Sequence, residues 1–187
     1  MPLNLPNLVT LLRIALIPLI IGIFYVPDAW LSYEYKNVVA TSVFIFAAIT
    51  DWLDGYLARK LNQMSAFGAF LDPVADKLMV AGALIVLLQL GRVEAVVVLI
   101  IIGREIAISA LREWMAQLGQ AKSVAVAYIG KVKTVGQMIA IPLLLYHDDL
   151  LMLNTQLLGT ILINVAAVLT VISMLYYLRR ALPLLRG

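Results

Sequence analysis

The chain has no cysteine and a single histidine, His147, among its 187 residues. Disulfides and thiolate metal centres are thereby excluded, and any bound metal has to be held by oxygen or by that one imidazole. Charge is scarce too: 13% of residues are Asp, Glu, Lys or Arg, against 63% hydrophobic, and the formal net charge is only +3. Soluble domains are about 45 to 50% apolar, so this composition, with a mean hydropathy of +0.98, excludes a water-soluble fold. Internal repeats, low-complexity tracts and Ser/Gly linkers are also missing, which leaves one domain over residues 1–187. No pattern in it points to a nucleic-acid partner.

What is present is a series of apolar stretches near 8–26, 37–58, 74–91, 93–115, 128–146 and 152–178. Each is close to the roughly 20 residues that cross a bilayer as a helix. They predict an all-α integral membrane protein of six transmembrane helices, with a short N-terminal surface segment marked by Pro2, Pro6 and Asn7. Six spans put Lys36 and Arg92 on one side and the other twelve of the fourteen Lys and Arg residues on the opposite side. That basic side is cytoplasmic by the positive-inside rule, and both termini then face the cytoplasm. Acids run the other way, with Asp28, Glu34, Glu94, Asp148 and Asp149 in the outer connections. No cleavable signal and no Arg- and Ser-rich transit segment precedes the first helix, so a bacterial inner membrane is the expected location.

Against this background stand four carboxylates in the pattern Asp51-x2-Asp54-Gly55-x2-Ala58-Arg59-x8-Gly68-x3-Asp72-x3-Asp76. Ionised acids at bilayer depth cost several kcal/mol, so they normally face a polar cavity and find a cation. Asp51 and Asp54 are three apart and Asp72 and Asp76 four apart, so each pair shares a helix face. Two antiparallel helices presenting two carboxylates each suit a two-cation site with coordination left open for phosphate and water. Gly55 and Ala58 keep the surface beside them low for a ligand, and Arg59 offers a planar fork suited to phosphate. Gly68 permits close approach of the second helix to the third. A structural use competes with this reading: Asp72-Pro73 also reads as an N-cap followed by Pro at the first helical position, and Asp76 can pair with Lys77 or Arg59.

A second polar set comprises Arg104, Glu105, Ser109 and Arg112, followed by Lys131 and Lys133. Glu105, Ser109 and Arg112 fall on one helical stripe with Arg104 beside it, and cations at that depth imply an anionic partner. The alternative is that Arg104 and Arg112 pair with nearby acids while the lysines snorkel at a helix entry. Because Lys131 and Lys133 are two apart, a regular helix sends one of them to the site, and Lys131 is the expected one. At the N-terminus Asn7, Thr10 and Arg13 recur every three residues on an otherwise apolar helix, where capping by Asn7 and a snorkelling Arg13 compete with a site role. His147, beside Asp148 and Asp149, reads as a solvated surface residue.

The aspartate pattern resembles that of the CDP-alcohol phosphatidyltransferase family, and every fixed position of it is present. The resemblance implies that Asp51, Asp54, Asp72 and Asp76 hold two divalent cations, magnesium or manganese, and that Asp76 is also the catalytic base. It further implies that Asn7, Thr10, Arg13, Gly55, Ala58, Arg59 and Gly68 border the CDP-diacylglycerol site. The basic set, with Arg104, Ser109, Arg112, Lys131 and Lys133 as acceptor ligands, is closest to bacterial members whose acceptor is sn-glycerol 3-phosphate. Inositol phosphate would use a similar pocket, whereas serine or phosphatidylglycerol would need fewer phosphate ligands. The resemblance and the Gly- and Ala-containing helices also imply a homodimer among membrane lipids. A cation-coupled transporter is the alternative from another class. It is disfavoured because the acids cluster near one surface and no repeated halves are visible.

Overall fold

The structure is a computed structural model that describes residues 5–60, 65–117, 119, 128–150 and 152–181, with the side chains of 52, 54–59 and 128–131 and a few at the chain's ends outside the description. The described residues are almost wholly helical: α1 (Leu5–Gly22) with a short 3-10 turn after it, α2 (Tyr33–Lys60), α3 (Ala66–Gln89), α4 (Ala95–Gln117), α5 (Tyr128–Tyr146) and α6 (Thr155–Ala181). Helices suit such apolar runs because each satisfies its own backbone hydrogen bonds, which lipid cannot do.

The helices form a closed ring. Going round it, α1 touches α2, α2 touches α5, α5 pairs closely with α6, α6 with α4, α4 with α3, and α3 returns to α1. Ile20, Phe44, Leu84, Ile101, Ile141 and Leu144 meet in one core inside the ring, and Ile108, Met115 and Tyr177 form a smaller cluster between α4 and α6. The outer surface is apolar on every helix, with Leu12, Ile49, Phe70, Leu99, Val135 and Val168 all exposed. An apolar exterior around polar interior groups is the reverse of a soluble bundle and marks a membrane protein.

By length and hydropathy two segments pass plainly as spans, Asn7–Tyr25 and Thr155–Arg179. The rest fall short for physical reasons: α2, α3 and α4 carry ionisable side chains, and the apolar part of α5 is short, Val132–Tyr146. The α2 helix of 28 residues is about 42 Å long at 1.5 Å per residue and carries Asp51 in its C-terminal third.

Helix α3 begins eight residues before the apolar stretch that announced it. Ser65 is its N-cap, its hydroxyl accepting from the Gly68 amide at 3.0 Å, and the helix runs straight through Pro73. Asp72 is therefore a mid-helix residue and not a cap. Pro73 has no N–H to give, which leaves the Ala69 carbonyl without its usual helical donor. Gly68 does permit a close approach, but by α1 and not α2: a Cβ there would lie 2.6 Å from the Asn7 side-chain oxygen. The expected tight α2–α3 contact is replaced by α1, which packs on both. Gly159 plays the same part between α5 and α6, where a Cβ would come within 2.7 Å of Leu144.

Candidate active site

Three helices bring Asp51, Asp72 and Asp76 together at one end of the ring. Arg13 of α1 is fully buried, and its Nη1 lies 2.8 Å from Asp51 Oδ1 of α2 and 2.6 Å from Asp76 Oδ1 of α3. One nitrogen thus ties the two aspartate-bearing helices together, and the two carboxylates are neighbours. One turn earlier on α1, Thr10 donates to Asp72 Oδ1 at 2.7 Å. One turn earlier again, Asn7 exchanges hydrogen bonds with the Ser65 hydroxyl at 3.1 and 3.2 Å. The three-residue spacing of Asn7, Thr10 and Arg13 serves a purpose that spacing alone did not reveal: each reaches a different residue of α3 or the turn before it. Arg13 does not snorkel; it pairs with Asp76, while Arg59, expected with Lys77 as a candidate for that role, has its side chain outside the described residues.

Asp51 and Asp76 keep 39% and 48% of their side-chain surface exposed, so Arg13 covers them from inside only in part. The side chains of Asp54, Gly55, Ala58 and Arg59 lie outside the described residues. Among the described residues no three acids or imidazoles stand close enough to hold a metal. The donor chemistry nevertheless fits a hard divalent cation: carboxylates from two helices, no cysteine in the chain, and His147 in the connection after α5, at the opposite end of the ring.

Across the ring lies the basic set. Glu105 of α4 accepts from Arg104 Nη1 at 2.9 Å and forms an ion pair with Lys133 of α5. Both cations are buried, Lys133 at 1% exposure, which argues against snorkelling for Lys133, while Lys131 lies outside the described side chains. Arg104 and Arg112 both stack over the Tyr177 ring, at 5.9 and 5.7 Å, and the Nε of each is buried without a partner. The Ser109 hydroxyl donates to the Glu105 carbonyl at 2.6 Å, so in this arrangement it has no proton for an anion.

Between the acidic and basic sets is a cavity of about 300 Å³ whose lining includes Asp51, Asp76, Lys77, Glu105, Thr134 and Gln137. Four helices contribute to it, α2, α3, α4 and α5. Glu105 and Gln137 are the residues that the search for acceptor ligands passed over. Glu105 looked like a counter-ion, and Gln137 looked like one neutral polar residue in an apolar run. Its place three residues after Thr134 and four after Lys133 was the available signal.

Comparison with known proteins bears on the same residues. The family model for CDP-alcohol phosphatidyltransferase matches residues 3–172. Two proteins named CDP-diacylglycerol–glycerol-3-phosphate 3-phosphatidyltransferase, from Salmonella choleraesuis and Escherichia coli K12, are 49% and 48% identical to this chain over 97% of its length and 96% of theirs. A protein of that name from Shigella flexneri serotype 5b is 48% identical over the same span. Such a match runs through every helix that builds the cavity, and the chain belongs to the CDP-alcohol phosphatidyltransferase family.

Proposed function

We propose that the chain transfers the phosphatidyl group of CDP-diacylglycerol to sn-glycerol 3-phosphate, giving phosphatidylglycerophosphate and CMP. The observation that carries this reading is the gathering of Asp51, Asp72 and Asp76 around α1 on one side of a cavity whose other side holds Glu105, backed by Arg104 and Lys133. A family enzyme needs an acidic half for its diphosphate donor and a basic half for a phosphorylated acceptor, and the relatives' names supply the acceptor.

In the proposed reaction the acceptor's primary hydroxyl oxygen attacks the phosphorus that carries the diacylglycerol, and the bond from that phosphorus to the CMP oxygen breaks. Asp76 takes the hydroxyl proton, being on the cavity wall with about half of its side chain exposed. Asp51, Asp54, Asp72 and Asp76 are the residues that would hold two magnesium or manganese ions, which when bound would neutralise the diphosphate and the leaving phosphate. Arg13 holds Asp51 and Asp76 at their inner oxygens, Thr10 orients Asp72, and Asn7 with Gly68 sets the α1–α3 spacing. Gly55, Ala58 and Arg59 belong to the nucleotide side of the same proposal. Arg104, Ser109, Arg112, Lys131 and Lys133 belong to the acceptor side, Ser109 with its hydroxyl on the Glu105 carbonyl.

The test is release of CMP from CDP-diacylglycerol in micelles. It should require both added magnesium and glycerol 3-phosphate; turnover with inositol phosphate or serine and not with glycerol 3-phosphate would reassign the acceptor. The six spans, the bacterial inner membrane, the homodimer and the cytoplasmic placing of the site and termini are part of the proposal. Cysteine introduced at Asp149 should be labelled from outside intact cells and cysteine at Lys60 should not. The reverse labelling would turn the site to the wrong face.

A further inference from the structure

Gln137 is buried in the wall of the central cavity at 3% exposure. Its Nε2 has no hydrogen-bond partner. A buried amide donor left unpaired is costly, and native proteins rarely keep one without a use. The other polar groups of the cavity indicate what completes it. Asp51, Asp76 and Glu105 share the cavity with Gln137, and Glu105 is already engaged by Arg104 and Lys133.

Each of these carboxylates already has a cation, Glu105 having Arg104 and Lys133 and Asp51 and Asp76 having Arg13. The amide is a neutral group with no charge of its own to offer an anion, and an alcohol suits it. A hydroxyl also both donates and accepts, so it can pair with either end of the carboxamide. Thr134, one turn away on the same face of α5, lines the same cavity.

We propose that Gln137 is a specificity-determining residue that hydrogen-bonds the non-reacting secondary hydroxyl of the acceptor, the one beside the attacking primary hydroxyl. This rests on the glycerol 3-phosphate reading above. With the phosphate held on the basic side and the primary hydroxyl at Asp76, the secondary hydroxyl lies between them and meets the amide. Binding it there fixes the rotation of the three-carbon chain and so aims the primary hydroxyl. A three-carbon acceptor without that hydroxyl would leave the amide unpaired, and a site built to bond a hydroxyl rejects the analogue that lacks it.

The experiment compares glycerol 3-phosphate with 3-hydroxypropyl phosphate, which keeps the phosphate and the primary alcohol and lacks only the secondary hydroxyl. Full-length enzyme in micelles is assayed for CMP release at saturating CDP-diacylglycerol. Wild type should favour glycerol 3-phosphate at least about tenfold in kcat/KM, the worth of one buried hydrogen bond. Gln137→Met, which keeps the volume and removes the amide, should bring the two acceptors within about threefold by losing activity on glycerol 3-phosphate alone, with the KM for CDP-diacylglycerol unchanged. Equal losses on both acceptors, or a preference that survives in Gln137→Met, would overturn the assignment. So would a wild type that accepts both equally, a result that needs no variant to fold. Failure of wild type on both compounds would instead overturn the acceptor reading, and this assignment with it.

Discussion

The two ends of the helix ring each bury arginine, and they treat it differently. At the end away from the aspartates, Arg92 is 7% exposed and gives its protons to the Leu144 and Leu145 carbonyls at 2.8 and 2.7 Å, to Asn37 at 2.7 Å and to the Tyr33 hydroxyl at 3.0 Å. Its partners are neutral, all belong to the protein, and two are carbonyls in the last turn of α5, where a helix favours a cation. At the aspartate end the cations meet carboxylates that stay partly open, and Arg104, Arg112 and Gln137 each keep a buried N–H without a partner. The first cluster is closed and holds helices; the second leaves donors unmet, as the proposed substrate site requires. Polarity buried in a membrane protein is thus no guide to function by itself. What separates a clamp from a site is whether its hydrogen bonds are already made.

The sharpest way to break that comparison is at Asp76. Asp76→Asn should lower kcat by about 10²- to 10⁴-fold, the usual share of a general base. It should leave thermal stability nearly intact, since Arg13 keeps Asp51. CMP release and a melting curve in detergent measure the two, and near wild-type kcat would remove Asp76 as base. Arg92→Met is the converse. It strands two helix-end carbonyls and Asn37, so a loss of about 3 kcal/mol is expected from hydrogen bonds to a charged group. For a chain of this size that is a fall of roughly 6 to 12 °C in Tm. Below the transition kcat should stay within about twofold; a collapse of activity without a fall in Tm would show that the two ends are not distinct.

The smallest effect belongs to His147. Burial and then the nearby Arg92 hold its imidazole below the ordinary 6.5, with Asp148 opposing them. The unfolded chain therefore binds a proton first as pH falls through about 6.5, and the stability present above that pH is progressively lost below it. Its backbone sits at φ +65°, a region asparagine tolerates, so His147→Asn should melt with a flatter dependence between pH 7 and 5. An identical slope in both proteins would assign the pH dependence elsewhere.

The aspartate set was legible because its information is local: three- and four-residue spacings fix a helix face whatever the surroundings. The N-terminal polar row was legible as a row, and its targets were not, because they lie 58 to 63 residues away in sequence. Gly68 announced a close approach but could not name the approaching helix. The start of α3 was hidden by Pro73, which reads as a helix start and is carried inside one. His147 looked fully solvated because the positive neighbour that matters, Arg92, comes from another connection. In each case the residue's own chemistry was readable and its partner, chosen by packing, was not.

The bridge from Arg13 to Asp51 and Asp76 also bears on the order in which the chain is assembled. Helix α1 is made first, and an arginine at membrane depth costs about 2.5 to 3.5 kcal/mol on insertion scales. Its first carboxylate partner, Asp51, comes in the C-terminal third of α2, and its second, Asp76, in α3, 63 residues after Arg13. Both partners are present only once α1, α2 and α3 have all been made. If the proposed spans hold, a chain cut after Lys60 should leave α1 less firmly inserted than one cut after Gln89, and the charge pairing of the proposed site would then also act as a checkpoint in biogenesis.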